Sequence, residues 1–225
     1  MKFKGIALVP AAGVGQRMGA DIHKAFIELD DKPLLWHCLD QLSNVPEISN
    51  IVIALHQDDF NFWENHIDLQ EGRKVWKPIT AVVGGATRTH SVYEAFKKAK
   101  EINPNEFYAC VHDAARPYTG SETIRSVLKA AETTSVAGLA LEVVDTIKRQ
   151  HEDGRLETLE RHKLKAIQTP QVILSSLFEE GYQKWFDESC PQLTDDFQIV
   201  ESIGVQVTLL AGDARNKKIT YYSDI

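Results

Sequence analysis

The chain of 225 residues is long enough for one domain, 1–225, with a substantial core. An apolar content of 43% with 25% charged residues is ordinary for a globular protein, and a net charge of −7 argues against nucleic acid or anionic membranes as partners. No apolar run approaches the roughly 18 residues of a membrane span, and the unpaired spacing of Cys38, Cys110 and Cys190 predicts reduced thiols in a cytoplasmic protein.

The N-terminal segment pairs a strand with a glycine-rich loop. The apolar run 3–9 predicts a buried strand, and Pro-Ala-Ala-Gly-Val-Gly-Gln-Arg-Met-Gly follows at 10–19. The backbone N–H groups of such a loop can approach a polyphosphate closely. Met18 stands where a dinucleotide fingerprint needs its third glycine, and the spacing also fails the Walker A pattern. We expect a different phosphate loop that adds the charges of Arg17 and Lys24, the alternative being a plain surface loop.

Strand and helix patterns then alternate as far as residue 141. Strands are predicted at 50–55, 79–83, 107–112 and 136–141, and helices at 33–42, 91–100 and 121–134, the last with a Ser-Glu-Thr capping pattern. This order predicts an α/β, Rossmann-like fold with a mostly parallel twisted sheet and helices on both faces. Ligands bind beyond the carboxyl ends of such strands, so the loops after residues 9, 83 and 112 should share one rim.

One segment departs from this alternation. Residues 142–148 and 156–161 favour strand and flank Asp153-Gly154, which is a hairpin turn signal. A protruding hairpin with few partners in its own domain needs another surface to cover it. We therefore expect a dimerisation arm at about residues 142–162, the alternative being a solvent-exposed hairpin.

Polar residues follow several of the predicted strands. Asp113 could hold ribose or a metal–phosphate complex and Arg116 a phosphate, unless the two only stabilise their turn. Arg88 and Ser91 lie at a helix start, where free N–H groups also bind anions, with capping as the alternative. A strand at 205–210 leads into a basic loop that contains Lys218.

Two further motifs are shorter. Gln-Thr-Pro-Gln at 168–171 predicts a rigid turn, and Thr-Asp-Asp at 194–196 predicts a helix N-cap with acids in the first turn. No histidine spacing supports a zinc site, and no serine elbow supports acyl transfer.

Six motifs occur in the order typical of one family. They are Pro-Ala-Ala-Gly-x-Gly-x-Arg-Met-Gly with Lys24, Gly84-Gly85-x-x-Arg88-x-x-Ser91, Val-His-Asp-Ala-Ala-Arg-Pro, Thr-Pro-Gln, Thr-Asp-Asp and Asn-x-Lys-Ile-Thr. Over essentially its whole length the chain resembles the 2-C-methyl-D-erythritol 4-phosphate cytidylyltransferases of non-mevalonate isoprenoid biosynthesis. The resemblance implies a nucleotidyltransferase that joins CTP and 2-C-methyl-D-erythritol 4-phosphate, giving 4-diphosphocytidyl-2-C-methyl-D-erythritol and pyrophosphate.

The resemblance also implies roles for individual residues. Catalytic cations would be Arg17, Lys24, Arg161 and Lys218. Substrate-binding residues would be Pro10, Ala11, Ala12, Gly13, Gly15, Gly85, Arg88, Ser91, Asp113, Ala114, Arg116, Thr146, Thr169 and Thr194. Thr146 and Arg161 would reach the site of a partner subunit in a homodimer. Mg²⁺ would be held mainly through the CTP phosphates, without a metal site on the protein.

Some positions depart from the family pattern. His23 and Ala25 stand where relatives usually have proline and glutamine, Ala86 stands where an acid often follows the paired glycines, and a final helix would be expected to continue beyond Ile225. Two rival functions stay open. One is ribitol-5-phosphate cytidylyltransferase, which Ala114-Ala115 disfavours, and the other is a non-catalytic nucleotide-binding regulatory module.

Overall fold

The computed structural model describes residues 4–13, 24–67, 76–190 and 192–225. Its strands are β1 (Gly5–Pro10), β2 (Glu28–Leu29), β3 (Lys32–Pro33), β4 (Ile48–Leu55), β5 (Ile79–Val83), β6 (Tyr108–Val111), β7 (Val136–Glu142), β8 (Lys148–Gln150), β9 (Leu156–Thr158), β10 (Lys165–Leu174) and β11 (Thr208–Ala211). Its helices are α1 (Leu34–Ser43), α2 (Phe60–Ile67), α3 (Arg88–Ile102), α4 (Ser121–Thr134), α5 (Ser175–Asp187) and α6 (Phe197–Glu201). Among these described residues, no helix is long and apolar enough to cross a membrane.

The central sheet has seven strands in the order β11-β7-β10-β6-β1-β4-β5. β1 is parallel to β4 and β6, β4 to β5 and β7 to β11, whereas β10 is antiparallel to both β6 and β7. The prediction of an α/β fold with a mostly parallel sheet is therefore confirmed. The carboxyl ends of β1, β4, β5, β6 and β11 lie at one edge, which is where ligands bind in such sheets.

Helices cover both faces of the sheet, as predicted. Ala7 and Val9 of β1 pack in a core with α1 and α4, and Ile6 and Leu8 pack in a second core with α3 and α5. This division follows from the strand geometry, in which successive side chains point to opposite faces. All four side chains are fully buried, and burying Ile6 or Leu8 contributes roughly 1.5–3 kcal/mol each.

The prediction of a turn at residues 168–171 is wrong, because these residues lie inside β10. Gln168 pairs with Leu139 and Gln171 with Gly138, so Thr169 and Pro170 form a bulge between them. The Thr169–Pro170 peptide bond is cis. Proline is tolerated within a sheet at such bulges, where the ladder needs no N–H donor.

The arm, residues 142–162, contains a shorter hairpin than expected. β8 and β9 pair with each other as a separate two-stranded sheet, and residues 143–147, predicted as strand, are not. Every residue from 144 to 158 is exposed. The role of the arm in dimerisation stays a prediction.

One helix start, one helix cap and one strand start also differ from the expected pattern, whereas α4 has the predicted bounds. α3 begins three residues early because Thr87 is its N-cap, with Thr87 Oγ1 accepting from His90 N at 3.3 Å. Gly120, not Ser121, occupies the N-cap of α4, and no side chain caps that helix. β11 starts at Thr208 rather than at residue 205.

Candidate active site

A cavity of about 440 Å³ lies at the carboxyl edge of the sheet. Loops that follow β1, β4, β5, β6 and β11 contribute to its wall, which confirms that the predicted loops share a rim. The lining residues are Pro10, Ala11, Ala12, Gly13, Lys24, Ala25, His56, Gly85, Ala86, Thr87, Arg88, Ser91, Asp113, Ala114, Ala115 and Lys218.

One wall of the cavity is built from two loops in very close approach. A Cβ added to Gly84 would lie 2.5 Å from the Cβ of Ala12, and one added to Gly85 would lie 2.3 Å from that of His90. Gly85 N also donates to Ser91 Oγ at 3.1 Å, which fixes the loop against α3. Only glycine at these two positions allows the loop after β5 to pack this closely against Ala12 and His90.

Asp113 is the centre of charge in the cavity. Its Oδ1 accepts from Arg88 Nε at 3.0 Å, and its Oδ2 accepts from Lys218 Nζ at 2.8 Å and lies 3.7 Å from Arg116 Nε. Burial alone would raise the pKa of Asp113, but the charges of Arg88 and Lys218 outweigh burial and hold that pKa well below its usual range. The carboxylate is therefore ionised and links three elements of the sheet edge.

Arg88 joins Asp113 to a second carboxylate. Its Nη2 donates to Asp196 Oδ2 at 2.7 Å, and the Asp196 side chain is almost fully buried. Burial alone would lower the pKa of Arg88, but Asp196 and Asp113 together raise it above its usual value. The prediction of an N-cap at Thr194 with Asp196 in the first helical turn is wrong, because α6 starts at Phe197 and Asp196 itself is the N-cap residue, although its side chain makes no capping hydrogen bond. Asp195 Oδ1 accepts from Gln198 N at 3.3 Å instead.

Thr169 lies beneath the cavity rather than in its wall. It is buried, its Oγ1 accepts from Asp113 N at 3.1 Å, and the same oxygen lies 3.0 Å from His112 Nδ1 in a second hydrogen bond. The bulge in β10 therefore supports the loop that carries Asp113. Burial lowers the pKa of His112 to about 4, so this histidine is neutral at physiological pH.

The loop that carries Lys218 is anchored by its neighbours in the chain. Asn216 is buried, its Nδ2 donates to Thr169 O at 2.8 Å, and its backbone O accepts from Arg116 Nη1 at 2.7 Å. Ile219 N donates to Ala115 O at 2.8 Å, and the fully buried Ile219 side chain packs in a cluster with Ile27, Leu29 and Leu34. These contacts leave Lys218 as the member of the loop that faces the cavity.

Lys24 enters the cavity from a short helical turn, Lys24–Phe26. Phe26 anchors that turn, with its ring centroid 5.8 Å from Trp36 and 4.7 Å from Phe62. Two other predicted phosphate-loop residues, Gly15 and Arg17, lie outside the described residues, as does His23.

Three predicted site residues lie away from the cavity of their own chain. Thr146 and Arg161 belong to the exposed arm, where Arg161 Nη1 donates to Val144 O at 2.7 Å. Thr194 is exposed, and its Oγ1 donates to Gln198 Oε1 at 3.0 Å. Arg116 is buried behind Asp113 rather than in the wall. The remaining predicted residues in the described ranges line the cavity, apart from Thr169 beneath it.

Asn216, Gln168 and Asp196 support the site; the sequence motifs contain them, but the sequence predicts no role in the site for them. Gln168 Nε2 donates to Asp213 O at 3.0 Å and to Asn216 O at 3.2 Å. All three residues are polar although each is at most 5% exposed, which is unusual and indicates a structural role. The sequence shows their polarity but not their burial.

The comparisons with known proteins agree over the whole chain. A family model described as 2-C-methyl-D-erythritol 4-phosphate cytidylyltransferase (IspD) matches residues 6–225. The enzyme of that name from Bacillus cereus is 36% identical over 218 residues, covering 97% of this chain and 93% of the relative. The one from Desulforamulus reducens is 34% identical over 221 residues, covering 98% and 92%.

Solved structures show the same likeness. The crystal structure of 4-diphosphocytidyl-2C-methyl-D-erythritol synthase from Anaerococcus prevotii has a TM-score of 0.82 at 27% identity and covers 100% of this chain and 95% of that chain. The 2-C-methyl-D-erythritol 4-phosphate cytidylyltransferase from Thermus thermophilus has a TM-score of 0.76 at 26% identity, covering 100% and 95%. This chain belongs to the 2-C-methyl-D-erythritol 4-phosphate cytidylyltransferase family.

Proposed function

We propose that the cavity catalyses the reaction of CTP with 2-C-methyl-D-erythritol 4-phosphate. A phosphate oxygen of the sugar alcohol attacks the α-phosphorus of CTP, the bond from that phosphorus to the β-phosphate oxygen breaks, and pyrophosphate leaves with the electron pair. One observation carries this proposal: Lys24, Arg88 and Lys218 line the same cavity. Among the lining residues that the structure describes, Asp113 is the only one with a carboxylate.

The chemistry requires charge rather than a general base. Both substrates are anions, and the attacking phosphate oxygen is already ionised, so no proton needs to be removed from it. The barrier arises from mutual repulsion and from charge that grows on the α-phosphoryl and leaving oxygens. Preorganised cations lower such a barrier, and we assign this role to Lys24 and, within the loop outside the described residues, to Arg17.

The wall of small residues provides the nucleotide site. Ala11, Ala12 and Gly85 offer backbone groups to the cytosine, and Ser91 fixes the Gly85 loop through its hydroxyl. We assign Asp113 to the ribose and phosphates of the nucleotide. In this proposal the wall recognises the cytosine partly through backbone groups. Ala86, which stands where relatives often have an acid, therefore lacks one side-chain contact to the base but leaves the wall intact.

Lys218 is the proposed contact for the acceptor phosphate. Its side chain is 41% exposed, while that of Asp113 is 8% exposed, so Lys218 is the member of this pair that an entering phosphate can reach. When the acceptor phosphate enters, Lys218 can exchange its bond to Asp113 for one to the substrate. Its role is to align the attacking oxygen with the α-phosphorus.

Magnesium fits this site as a companion of the nucleotide. In the described part of the chain no group of three His, Cys, Asp or Glu could hold a metal ion, and both oxygens of Asp113 already accept from cations. In this proposal the triphosphate therefore supplies most of the oxygen ligands that Mg²⁺ requires. When bound, the ion neutralises charge on the phosphates.

The arm completes a partner's site in this proposal. Val144 and Leu156 are 75% and 62% exposed, which is costly for apolar side chains unless another surface covers them. A homodimer would cover them and bring Thr146 and Arg161 to the acceptor phosphate of the second subunit. We place the enzyme in the cytoplasm, where its free and buried Cys38 and Cys110 would stay reduced.

Pyrophosphate release tests the proposal. Purified protein with CTP and Mg²⁺ should release pyrophosphate with 2-C-methyl-D-erythritol 4-phosphate and at least tenfold more slowly with ribitol 5-phosphate. The reverse preference would assign the protein to ribitol-5-phosphate cytidylyltransferase activity. CTP binding in a calorimeter without turnover of either acceptor would support the regulatory module instead.

A further inference from the structure

Asp196 is a buried carboxylate without a role in the helix that it precedes. It is 1% exposed, and its side chain does not cap α6. Its backbone N donates to Gln171 Oε1 at 2.8 Å, and Gln171 is itself 1% exposed on β10. Burying a charged group is unfavourable unless it is paired and hydrogen-bonded. The buried carboxylate of Asp196 is paired with the guanidinium of Arg88.

Arg88 is held between two carboxylates. Its Nε donates to Asp113 and its Nη2 donates to Asp196, at 3.0 and 2.7 Å. A planar guanidinium with donors fixed on two sides has little freedom to rotate. Asp196 therefore determines how Arg88 meets Asp113, although Asp196 does not line the cavity.

The state of Asp113 in turn affects Lys218. Arg88 occupies Oδ1 of Asp113, which leaves Lys218 on Oδ2. A weakly held Arg88 would leave more of the Asp113 charge to Lys218, and the Asp113–Lys218 pair would tighten. Lys218 would then be less available to an incoming phosphate.

We propose that Asp196 is a positioning residue that holds Arg88 on Asp113 and so keeps Lys218 exchangeable for the phosphate of the acceptor substrate. This inference rests on the proposed function, in which Lys218 binds that phosphate. Asp196 acts through Arg88 and touches no substrate.

Asp196→Asn removes the charge and keeps the size of the side chain. The KM for 2-C-methyl-D-erythritol 4-phosphate should rise roughly 10- to 100-fold, the range seen when a partner that orients a ligating side chain is lost. The KM for CTP should change less than threefold. Glu201→Gln is the control because Glu201 is an exposed acid on α6, the helix that Asp196 precedes; its kinetics should stay near wild type.

A double-mutant cycle separates positioning from general destabilisation. In an Arg88→Gln background, Asp196→Asn should cause no further loss of activity, because Asp196 acts only through Arg88. Equal loss in both backgrounds, or unchanged KM in Asp196→Asn, would overturn the proposal. If Asp196→Asn alone does not fold, comparison of Arg88→Gln with the double variant still decides, since the double variant leaves no buried charge unpaired at this site.

A measurement on the protein without substrates distinguishes this inference from the proposed function. The Nε–H signal of Arg88, identified by NMR from its loss in Arg88→Lys, should exchange with water at least tenfold faster in Asp196→Asn than in wild type. Unchanged exchange would overturn the positioning role. Absence of turnover in wild type, with accelerated exchange in the variant, would overturn the proposed reaction while the pinning of Arg88 by Asp196 stands.

Discussion

Lys218 Nζ and Asp113 Oδ2 are 2.8 Å apart although 105 positions separate the two residues in the sequence. This ion pair joins the loop after β11 to the loop after β6 across the edge of the sheet. One partner is buried and held by Arg88, and the other is partly exposed. The pair therefore combines a buried anion with a cation that a substrate can reach from solvent.

Removing the charge of Lys218 should affect the acceptor substrate most. We expect Lys218→Met to raise the KM for 2-C-methyl-D-erythritol 4-phosphate at least tenfold while the unfolding midpoint stays near that of wild type, because Asp113 keeps its bond to Arg88. Steady-state pyrophosphate release with each substrate varied in turn measures this. Arg215→Met, at an exposed position in the same loop, is the control, and equal effects of the two variants would contradict the assignment of Lys218.

Lys24 should contribute mainly to the rate of the chemical step. Loss of one charge-stabilising donor of this type costs about 3–4 kcal/mol, so Lys24→Ala should lower kcat roughly 10²–10³-fold with the fold intact. Rapid-quench measurement of product formation, with circular dichroism for the fold, tests this. A kcat close to that of wild type would remove Lys24 from the mechanism, and Lys98→Ala on the exposed face of α3 serves as control.

The close approach of Gly84 to Ala12 should not tolerate a methyl group. Gly84→Ala would place its Cβ 2.5 Å from that of Ala12, so the two loops must separate and the nucleotide wall is distorted. We expect the CTP dissociation constant from calorimetry to rise at least tenfold. In Gly120→Ala the new Cβ would lie 4.0 Å from Thr123 Oγ1, an ordinary contact, so this variant should bind CTP as wild type does. Tight binding by Gly84→Ala would show that the wall does not contact the nucleotide.

Burial of neutral His112 predicts a loss of stability in mild acid. The pKa of His112 is about 4 when folded and 6.5 as the reference value, so the unfolded chain binds more protons between these values and stability falls as the pH falls. The expected loss from pH 7 to pH 5 is about 2 kcal/mol.

His112→Asn provides the comparison for that prediction, since its amide can still bond to Thr169. Urea unfolding at pH 7 and pH 5 should show a smaller decrease for the variant than for wild type. Because the pKa of Asp113 is lowered in the folded state, its carboxylate stabilises the fold above the usual carboxyl range. This stabilisation is lost only as the pH falls below about 4. It therefore does not contribute in this window, and identical decreases in both proteins would exclude His112 as the cause.

The apolar surface of the arm should matter for assembly. Leu156→Lys places a charge at a position that is 62% exposed in the single chain, so the monomer should fold normally while association weakens. Sedimentation velocity should then show a shift from dimer toward monomer, accompanied by loss of activity. Ser126→Lys, on the exposed face of α4, should change neither the association nor the activity. A wild-type protein that is monomeric and fully active would contradict a shared site.

The fold was largely predictable because its strands are buried on both faces and its helices have one apolar side. β1 and β4 are nearly continuous apolar runs, and such runs are recognisable without knowledge of their neighbours. β10 was missed because its buried residues include Gln168, Thr169 and Gln171. Polar residues in sequence are typical of a turn. Only the structure shows that these three are buried and hydrogen-bonded beneath the site.

The sequence motifs indicated many of the residues that the structure brings to one cavity, but they did not indicate how these residues contact one another. Thr169 and Arg116 were expected to contact substrate, whereas the structure places them beneath and behind Asp113. In the sequence Asp196 resembles an acid in the first turn of a helix, because it follows Thr194, a residue type common at N-caps. Only the long-range contact with Arg88, 108 positions away, shows where its charge is used.

β10 has a consequence for how this protein can evolve. The strand starts at Lys165, at the base of the arm, and reaches Thr169 beneath Asp113 after about 13 Å of extended chain. The arm is thus the continuation of a central strand rather than a peripheral insertion. A change in its length or register would shift Thr169 away from the loop that it supports. Insertions should therefore be accepted at the tip, near Gly154, and be selected against between residues 159 and 168.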